Sequence, residues 1–336
     1  MLVNRRTVLK TALSGVSAMC AAPYLARPGF AQTPLHTLKI VYPDSPAHPL
    51  MQILGRFGDN VFKKTDGAIK IQVFTTGQLG TQSNMLTGMQ TGIIDLCAHT
   101  SGFIQTLYPK FMVVDLPFLF KDAASAERVL DGPIGPQLLT ELPSKGIYGL
   151  SYGHFGWRVL STTGREVPDP DAMKGLKIRV QPGAIFAAMF TTLNAIPVQV
   201  DLSEVYLALS QKTIEAVETP STSLISSKHY EVVKSVNLTN HVYNPGVLMA
   251  SKRKMDTLES KHQEAIRQAA IELTPDWRKT IAEKTVEADT YLKERGISLV
   301  NVDRPAFRKA LEPVYTQFRG VIGTDLMDAV MKQASS

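Results

Sequence analysis

Gly175-Leu176-Lys177-Ile178-Arg179-Val180-Gln181-Pro182-Gly183 is the stretch on which the reading of this chain turns. Leu176, Ile178 and Val180 alternate with Lys177 and Arg179, the period of two that a short strand with one buried face requires. Pro182 cannot donate to a strand ladder and Gly183 is free to turn, so the strand ends there. An amphipathic run from about Ala184 to Leu193 follows. Arg179 therefore falls near the carboxyl end of a strand, just before a strand-to-helix turn, which in α/β folds is where ligands collect. Two readings are open. Lys177 and Arg179 can be ordinary cations on the exposed face of an edge strand, or the planar guanidinium can grip a carboxylate at two points.

The same alternation recurs on either side of this stretch. Leu38–Tyr42 reads as a strand broken by Pro43-Asp44-Ser45-Pro46, and Leu50–Thr65 as an amphipathic helix closed by Asp66-Gly67. Ile69–Phe74, a helix near 83–90 and Asp95–His99 complete a strand, helix, strand, helix, strand order, which argues for a parallel sheet with crossover helices. Composition shifts after Ile147–Tyr152, and a chain crossover is expected near residue 155. A second alternation begins at Leu176, with strands at Val198–Val200 and Ala216–Glu218 and a helix that Ser203 is suited to cap. Asn240–Tyr243 and Val247–Ala250 read as strands returning to the first domain. Residues 260–295 are helical throughout, and Pro275 either kinks this helix or divides it. A helix of that length exceeds one domain's width and would tie two lobes together. Residues 297–300 form a last strand and 305–332 a terminal helix or two.

The 336 residues suit two domains, and the hydrophobic fraction of 44% with 20% charged residues is that of a globular protein. The net charge of +6 invites a nucleic-acid partner, but Arg5, Arg6, Lys10 and Arg27 lie in an acid-free leader. Without them 32 basic residues face 30 acidic ones, and no basic run with interleaved aromatics remains, so no nucleic-acid binding is expected. Arg5-Arg6-Thr7-Val8-Leu9-Lys10, the apolar stretch Thr11–Leu25 and Gly29-Phe30-Ala31 read as a twin-arginine export signal cleaved after Ala31. This implies a bacterial, periplasmic protein. No later segment is apolar for long enough to span a membrane. Cys20 belongs to the leader, which leaves Cys97 as a small core residue with no disulfide partner.

Several runs together resemble one family: Thr76-Gly77-Gln78-Leu79-Gly80, Asp115-Leu116-Pro117-Phe118-Leu119-Phe120, Leu130-Asp131-Gly132-Pro133-Ile134-Gly135, Gly156-Trp157-Arg158, Gly175–Val180 and Ser226-Ser227-Lys228-His229-Tyr230-Glu231-Val232. In order and spacing they are similar to DctP-type solute-binding proteins, the extracytoplasmic subunits of tripartite ATP-independent periplasmic (TRAP) transporters. The resemblance runs from Ile40 to about Val300. It implies an α/β, two-lobed periplasmic binding protein fold with a central ligand cleft and a long helix bridging both lobes. It implies lobe I from residues 32–155 plus about 245–280, lobe II from 156–244 plus about 281–304, and a C-terminal helical segment, 305–336. It further implies capture of a small organic anion, a mono- or dicarboxylate, by lobe closure, delivery to the small and large membrane subunits, and no chemistry; no cofactor is expected, and the seven scattered histidines support no metal site. By the same resemblance Arg179 pairs with the substrate carboxylate, Arg158 assists and Phe186 lines the pocket. Gln78, Gln82 and Ser101 lie in first-lobe loops facing the ligand, with His48 in the loop after the first strand. Thr219 stands where many relatives carry an asparagine amide. Thr81-Gln82-Ser83 lacks the acid that many relatives have there, which argues against a cationic group on the ligand and leaves a second carboxylate, hydroxyl or carbonyl better tolerated.

Two other classes remain to be weighed. A secreted enzyme acting on a small carboxylate would draw on Cys97 with His99, or on Ser101 with His154 and Asp115, but the sequence has neither a Gly-x-Ser-x-Gly elbow nor a His-Glu-x-x-His pair. A cytoplasmic regulator with a similar sensor would need a DNA-binding helix pair where the export signal stands.

Overall fold

Chain order and sheet order part company in this protein, and that is what makes it two-lobed. The computed structural model describes residues 34–335 except Thr76, with nothing assigned to the Ser83 side chain. The leader, its twin-arginine motif, Cys20 and the cleavage position lie outside the described residues. The first sheet has the order β2 (Ile69–Thr75), β1 (His36–Tyr42), β3 (Leu96–Thr100), β10 (Pro245–Ser251), β4 (Ile147–His154). β1 runs parallel to β2 and β3, as the alternation with the helix Leu50–Lys64 requires, whereas β10 is antiparallel to both its neighbours. The second sheet has the order β11 (Ser298–Val300), β9 (Ser235–Val242), β5 (Arg158–Thr162), β8 (Ala216–Thr219), β6 (Lys177–Val180), β7 (Ile196–Gln199). The chain passes between sheets from β4 to β5 and back from β9 to β10.

β6 lies between β8 and β7, parallel to both, so it is not an edge strand. Lys177 is exposed, but Arg179 is buried, with Val217 and Val198 as its neighbours in the ladder. The exposed-cation reading of Arg179 therefore fails. The helix Ser260–Glu294 runs unbroken for 35 residues with Pro275 inside it, so the proline does not divide it. At about 1.5 Å per residue it is about 50 Å long. It packs on β4 and on the helix Leu50–Lys64 in one lobe and on β11 and the helix Ser221–Ser226 in the other. Trp277, fully buried, seats where the chain crosses. A Cβ on Gly153 would collide with its indole, and one on Gly246 would lie 2.6 Å from Cζ2, so both crossing strands need glycine there.

Ser203 is not a cap. It lies inside a 3-10 turn, Leu202–Glu204, and the following helix, Val205–Ser210, starts without a side-chain cap. Near the C-terminus, the helix Glu312–Ile322, which Thr324–Ser335 follows, lies against both Pro109–Asp115 and the second-lobe helix Ala184–Thr192. The largest apolar cluster accordingly runs through both lobes, from Val41 and Phe111 to Ile185 and Phe318. Among the described residues no helix is long and apolar enough to cross a membrane.

Candidate functional site

β1, β3, β6 and β8 all end at the seam between the two sheets, and their carboxyl ends bring Tyr42, Thr100, Gln181 and Thr219 together. With Asp44, Gln82, Arg158, Arg179, Ser223 and Asn244 they line a cavity of about 30 Å³. The lobes are drawn together around it. Thr100 Oγ1 donates to Gln181 Oε1 at 3.1 Å, and Ser226 and Ser227 donate across the seam to Asp44 Oδ1 at 2.9 and 3.0 Å. Gly102 leaves room for Phe186, since a Cβ there would sit 2.8 Å from Cε2 of that ring.

The two arginines at the cavity differ in electrostatic state. Arg158 opens β5 and is saturated: Nε bonds the Glu218 carboxylate and Nη2 donates to the Glu218 carbonyl at 2.6 Å. Its Nη1 reaches Asn244 Oδ1 at 3.1 Å and Gln181 Oε1 at 3.3 Å. Glu218 is fully buried, and its second oxygen accepts from the Gln181 amide at 3.0 Å. Burial alone would raise the Glu218 carboxyl, but the Arg158 charge and hydrogen bond, with His241 Nε2 at 3.7 Å, overcome it and hold the pKa at about 2. Arg179 has no such partner. Only 2% exposed, it donates from Nε to the Val200 carbonyl at 2.9 Å and from Nη2 to Gln82 Oε1 at 3.5 Å. Among the described residues no carboxylate lies within ion-pair distance of it, and burial lowers its pKa to about 10. A buried guanidinium left in this state is a strong anchor for an anion.

Of the expected residues, the structure places Arg179, Arg158, Gln82 and Thr219 at the cavity. The other four stand elsewhere. The Gln78 amide folds back to accept from the Thr75 N–H at 2.8 Å, and the residue is exposed. Ser101 Oγ donates to Asp115 Oδ1 at 2.6 Å, inside the first lobe. His48 Nδ1 accepts from the Leu50 N–H at 3.1 Å, at the start of a helix. The Phe186 ring supports the Arg158 guanidinium from 5.3 Å instead of lining the cavity. Tyr42, Asp44, Gln181 and Asn244 were missed. Gln181 is two residues beyond Arg179 on the same face of its strand, and Tyr42 and Asp44 follow a parallel strand end, so a signal for three of them was present.

Among the described residues, neither the Cys97 and His99 pair nor the Ser101, His154 and Asp115 set forms a hydrogen-bonded relay. Burial pushes the Cys97 thiol up to about 12. Ser101 is bonded to Asp115 directly, while His154 Nε2 lies 3.3 Å from the Arg278 carbonyl. Among the described residues no cluster suited to a metal ion occurs.

Buried titratable groups near the seam set a pH dependence. Burial lowers His99 to about 3 and His154 and His229 to about 4, from an ordinary 6.5. Between those values and 6.5 the unfolded chain holds more protons, so these groups contribute stability above pH 6.5 that is lost on acidification. Asp115 acts oppositely. Burial raises it to about 7, so the native state holds the extra proton and its contribution grows as pH falls from 7. Burial also lowers His48 and His241 and raises Asp289, so the histidines outnumber the aspartates; the urea midpoint falls from near pH 6.5 to near pH 4, and Asp115→Asn makes that fall larger. A flat profile across this window would contradict these assignments.

Comparison with known proteins agrees with this geometry. The family model DctP, bacterial extracellular solute-binding protein family 7, matches residues 41–320. The 2,3-diketo-L-gulonate-binding periplasmic protein YiaO of Escherichia coli strain K12 is 34% identical over 279 residues, 82% of this chain and 85% of its own. The C4-dicarboxylate-binding periplasmic protein DctP of Rhodobacter capsulatus is 29% identical over 325 residues, 95% and 96% of the two chains. The crystal structure of the sugar acid binding protein DctPAm from Advenella mimigardefordensis strain DPN7T in complex with galactonate superposes with a TM-score of 0.87 at 31% identity, covering 90% of this chain and 98% of that one. A match over most of the chain, on a two-lobed frame with a buried arginine at the seam, means that this protein belongs to the DctP family of bacterial extracellular solute-binding proteins.

Proposed function

We propose that this protein is the periplasmic capture subunit of a TRAP transporter, exported by the signal in residues 1–31. It closes its two lobes on an organic acid anion and hands it to the small and large membrane subunits, without catalysing a reaction. The observation that carries this reading is Arg179, a buried cation at the seam with no carboxylate at ion-pair distance among the described residues. Arg179 takes the ligand carboxylate, and Arg158 holds the cavity wall in place from its pairing with Glu218. Gln82 and Thr219 supply polar contacts from opposite lobes. Lobe I comprises 32–155 with about 245–280 and lobe II 156–244 with about 281–304, so that the chain bends near 155 and 244. The acids named for YiaO and DctPAm are sugar acids, which supports the same ligand class here.

Closure costs free energy, and a ligand shifts the open and closed populations by its differential affinity for them. The test is a thermal-shift screen of the mature protein against small carboxylic acids and uncharged sugars, with mass spectrometry of whatever the denatured protein releases. A rise in melting temperature with acids and none with the matching sugars is expected, because a ligand of the native state stabilises it by mass action. Stabilisation by uncharged sugars alone, or an empty site that no acid stabilises, would remove the anion reading.

A further inference from the structure

The cavity wall carries a charge that anchoring one carboxylate does not use. Asp44 follows β1, is nearly fully buried and lines the same cavity as Arg179. Its Oδ1 accepts from the Ser45 N–H at 2.6 Å and from Ser226 and Ser227 across the seam. No ion pair with a cation neutralises it among the described residues. Arg158 is already matched by Glu218, and each of its three nitrogens has an acceptor. Arg179 and Asp44 thus share one cavity, neither held in a direct ion pair among the described residues, with Glu218, Asp201 and Asp44 acting on Arg179 only through longer-range attraction. The remaining wall is neutral and rich in donors: Gln181 Nε2 and Asn244 Nδ2 have no hydrogen-bond partner among the described residues, and the Tyr42 hydroxyl stands beside Asp44. Such groups suit hydroxyl oxygens and give a second negative charge no cation to meet.

We propose that Asp44 is a specificity-determining residue that restricts the site to monocarboxylates bearing hydroxyl groups along the rest of the chain and rejects the matching dicarboxylates. This rests on the carboxylate-binding reading above, and it revises the expectation that a second carboxylate is tolerated. The ligand's single carboxylate sits at Arg179. Its hydroxyls donate to Asp44 and accept from the neutral wall, whereas a second carboxylate can do neither without repelling Asp44 in a site closed to water.

Titration calorimetry of the mature protein with chain-matched pairs of aldonates and aldarates, up to galactonate and galactarate, tests this. Members of a pair differ only in whether the far end is a hydroxymethyl or a carboxylate. The wild type is expected to prefer the better-binding aldonate over its aldarate by about a hundredfold. In Asp44→Asn the preference falls to about tenfold or less, mainly through tighter aldarate binding. Ser226→Ala removes a donor of the seam contact and keeps the Asp44 charge, so it weakens both members of a pair and leaves their ratio unchanged. A wild type that binds both members alike, or a folded Asp44→Asn with an unchanged ratio, overturns the role of Asp44 and leaves the anion reading standing. If neither series binds while another carboxylic acid stabilises the protein in the thermal-shift screen, the role of Asp44 is overturned and the anion reading stands; if no acid does, both fall.

Discussion

Arg179→Ala lowers the affinity for the acid by at least about tenfold, and by about a hundredfold if both terminal nitrogens engage the carboxylate. Charge-assisted hydrogen bonds contribute about 1.5–3 kcal/mol each, and about 1.4 kcal/mol is a factor of ten. Arg179→Lys also weakens binding, because a point charge on a flexible stem does not reproduce the planar fork. The ligand-free protein responds differently. Arg179 is desolvated and has no carboxylate partner, so replacing it with the similarly long, apolar Met leaves the urea midpoint of the free protein unchanged or higher. Titration calorimetry beside urea unfolding separates the two effects. Unchanged affinity in folded Arg179→Ala takes Arg179 out of the site, and a large loss of stability in Arg179→Met would mean that the fold already compensates its charge.

Glu218→Ala has the opposite signature. It strands Arg158, which lies in the interior with Glu218 as its one carboxylate partner among the described ion pairs, and removes the acceptor for the Gln181 N–H. Removing one partner of a buried pair costs about 3–5 kcal/mol, because the other charge stays in the low-dielectric interior uncompensated. The urea midpoint is therefore expected to fall markedly, since this is a large share of the roughly 5–15 kcal/mol that a domain of ordinary size possesses. Replacing the pair together, as Arg158→Met with Glu218→Leu, restores more than half of the loss, since the cost comes from the unmatched charge and not from the missing contact. A single variant as stable as the wild type would show that the pair does not hold the second sheet together.

The regular elements were readable because their signals are local. The period of two marks β6, and helical spacing carries the reading through Pro275 in the long helix. What the strand pattern left open was whether its cation faces water. That depends on β7 lying outside β6, a pairing made by a segment about twenty residues further on. The same limit separates Gln78 from Gln82. Four positions apart in one loop, they are chemically identical, yet Gly77 at φ 85° and Gly80 at φ 118° turn the chain so that one folds onto Thr75 and the other reaches Arg179. Phe186 fits the cleft by family position, but the helix register sets it beneath Arg158. Asp44 was overlooked because a Pro-Asp-Ser-Pro run reads as a turn, and a turn signal does not say what its carboxylate will face once a second lobe closes over it.

The place of β10 in the first sheet bears on how the chain emerges from the ribosome. β3 and β4 are not neighbours, and the gap between them is filled by a strand made almost a hundred residues after β4 begins. Until Ser251 has been synthesised, the nascent first sheet has two unpaired inner borders lined by buried-type side chains such as Cys97, Ala98 and Tyr152. Open borders of that kind recruit other extended chains, so a prematurely terminated product is prone to aggregate and does not amount to half a receptor. The first sheet, interrupted in the chain by the second, therefore cannot be released as an autonomous module by truncation at one point.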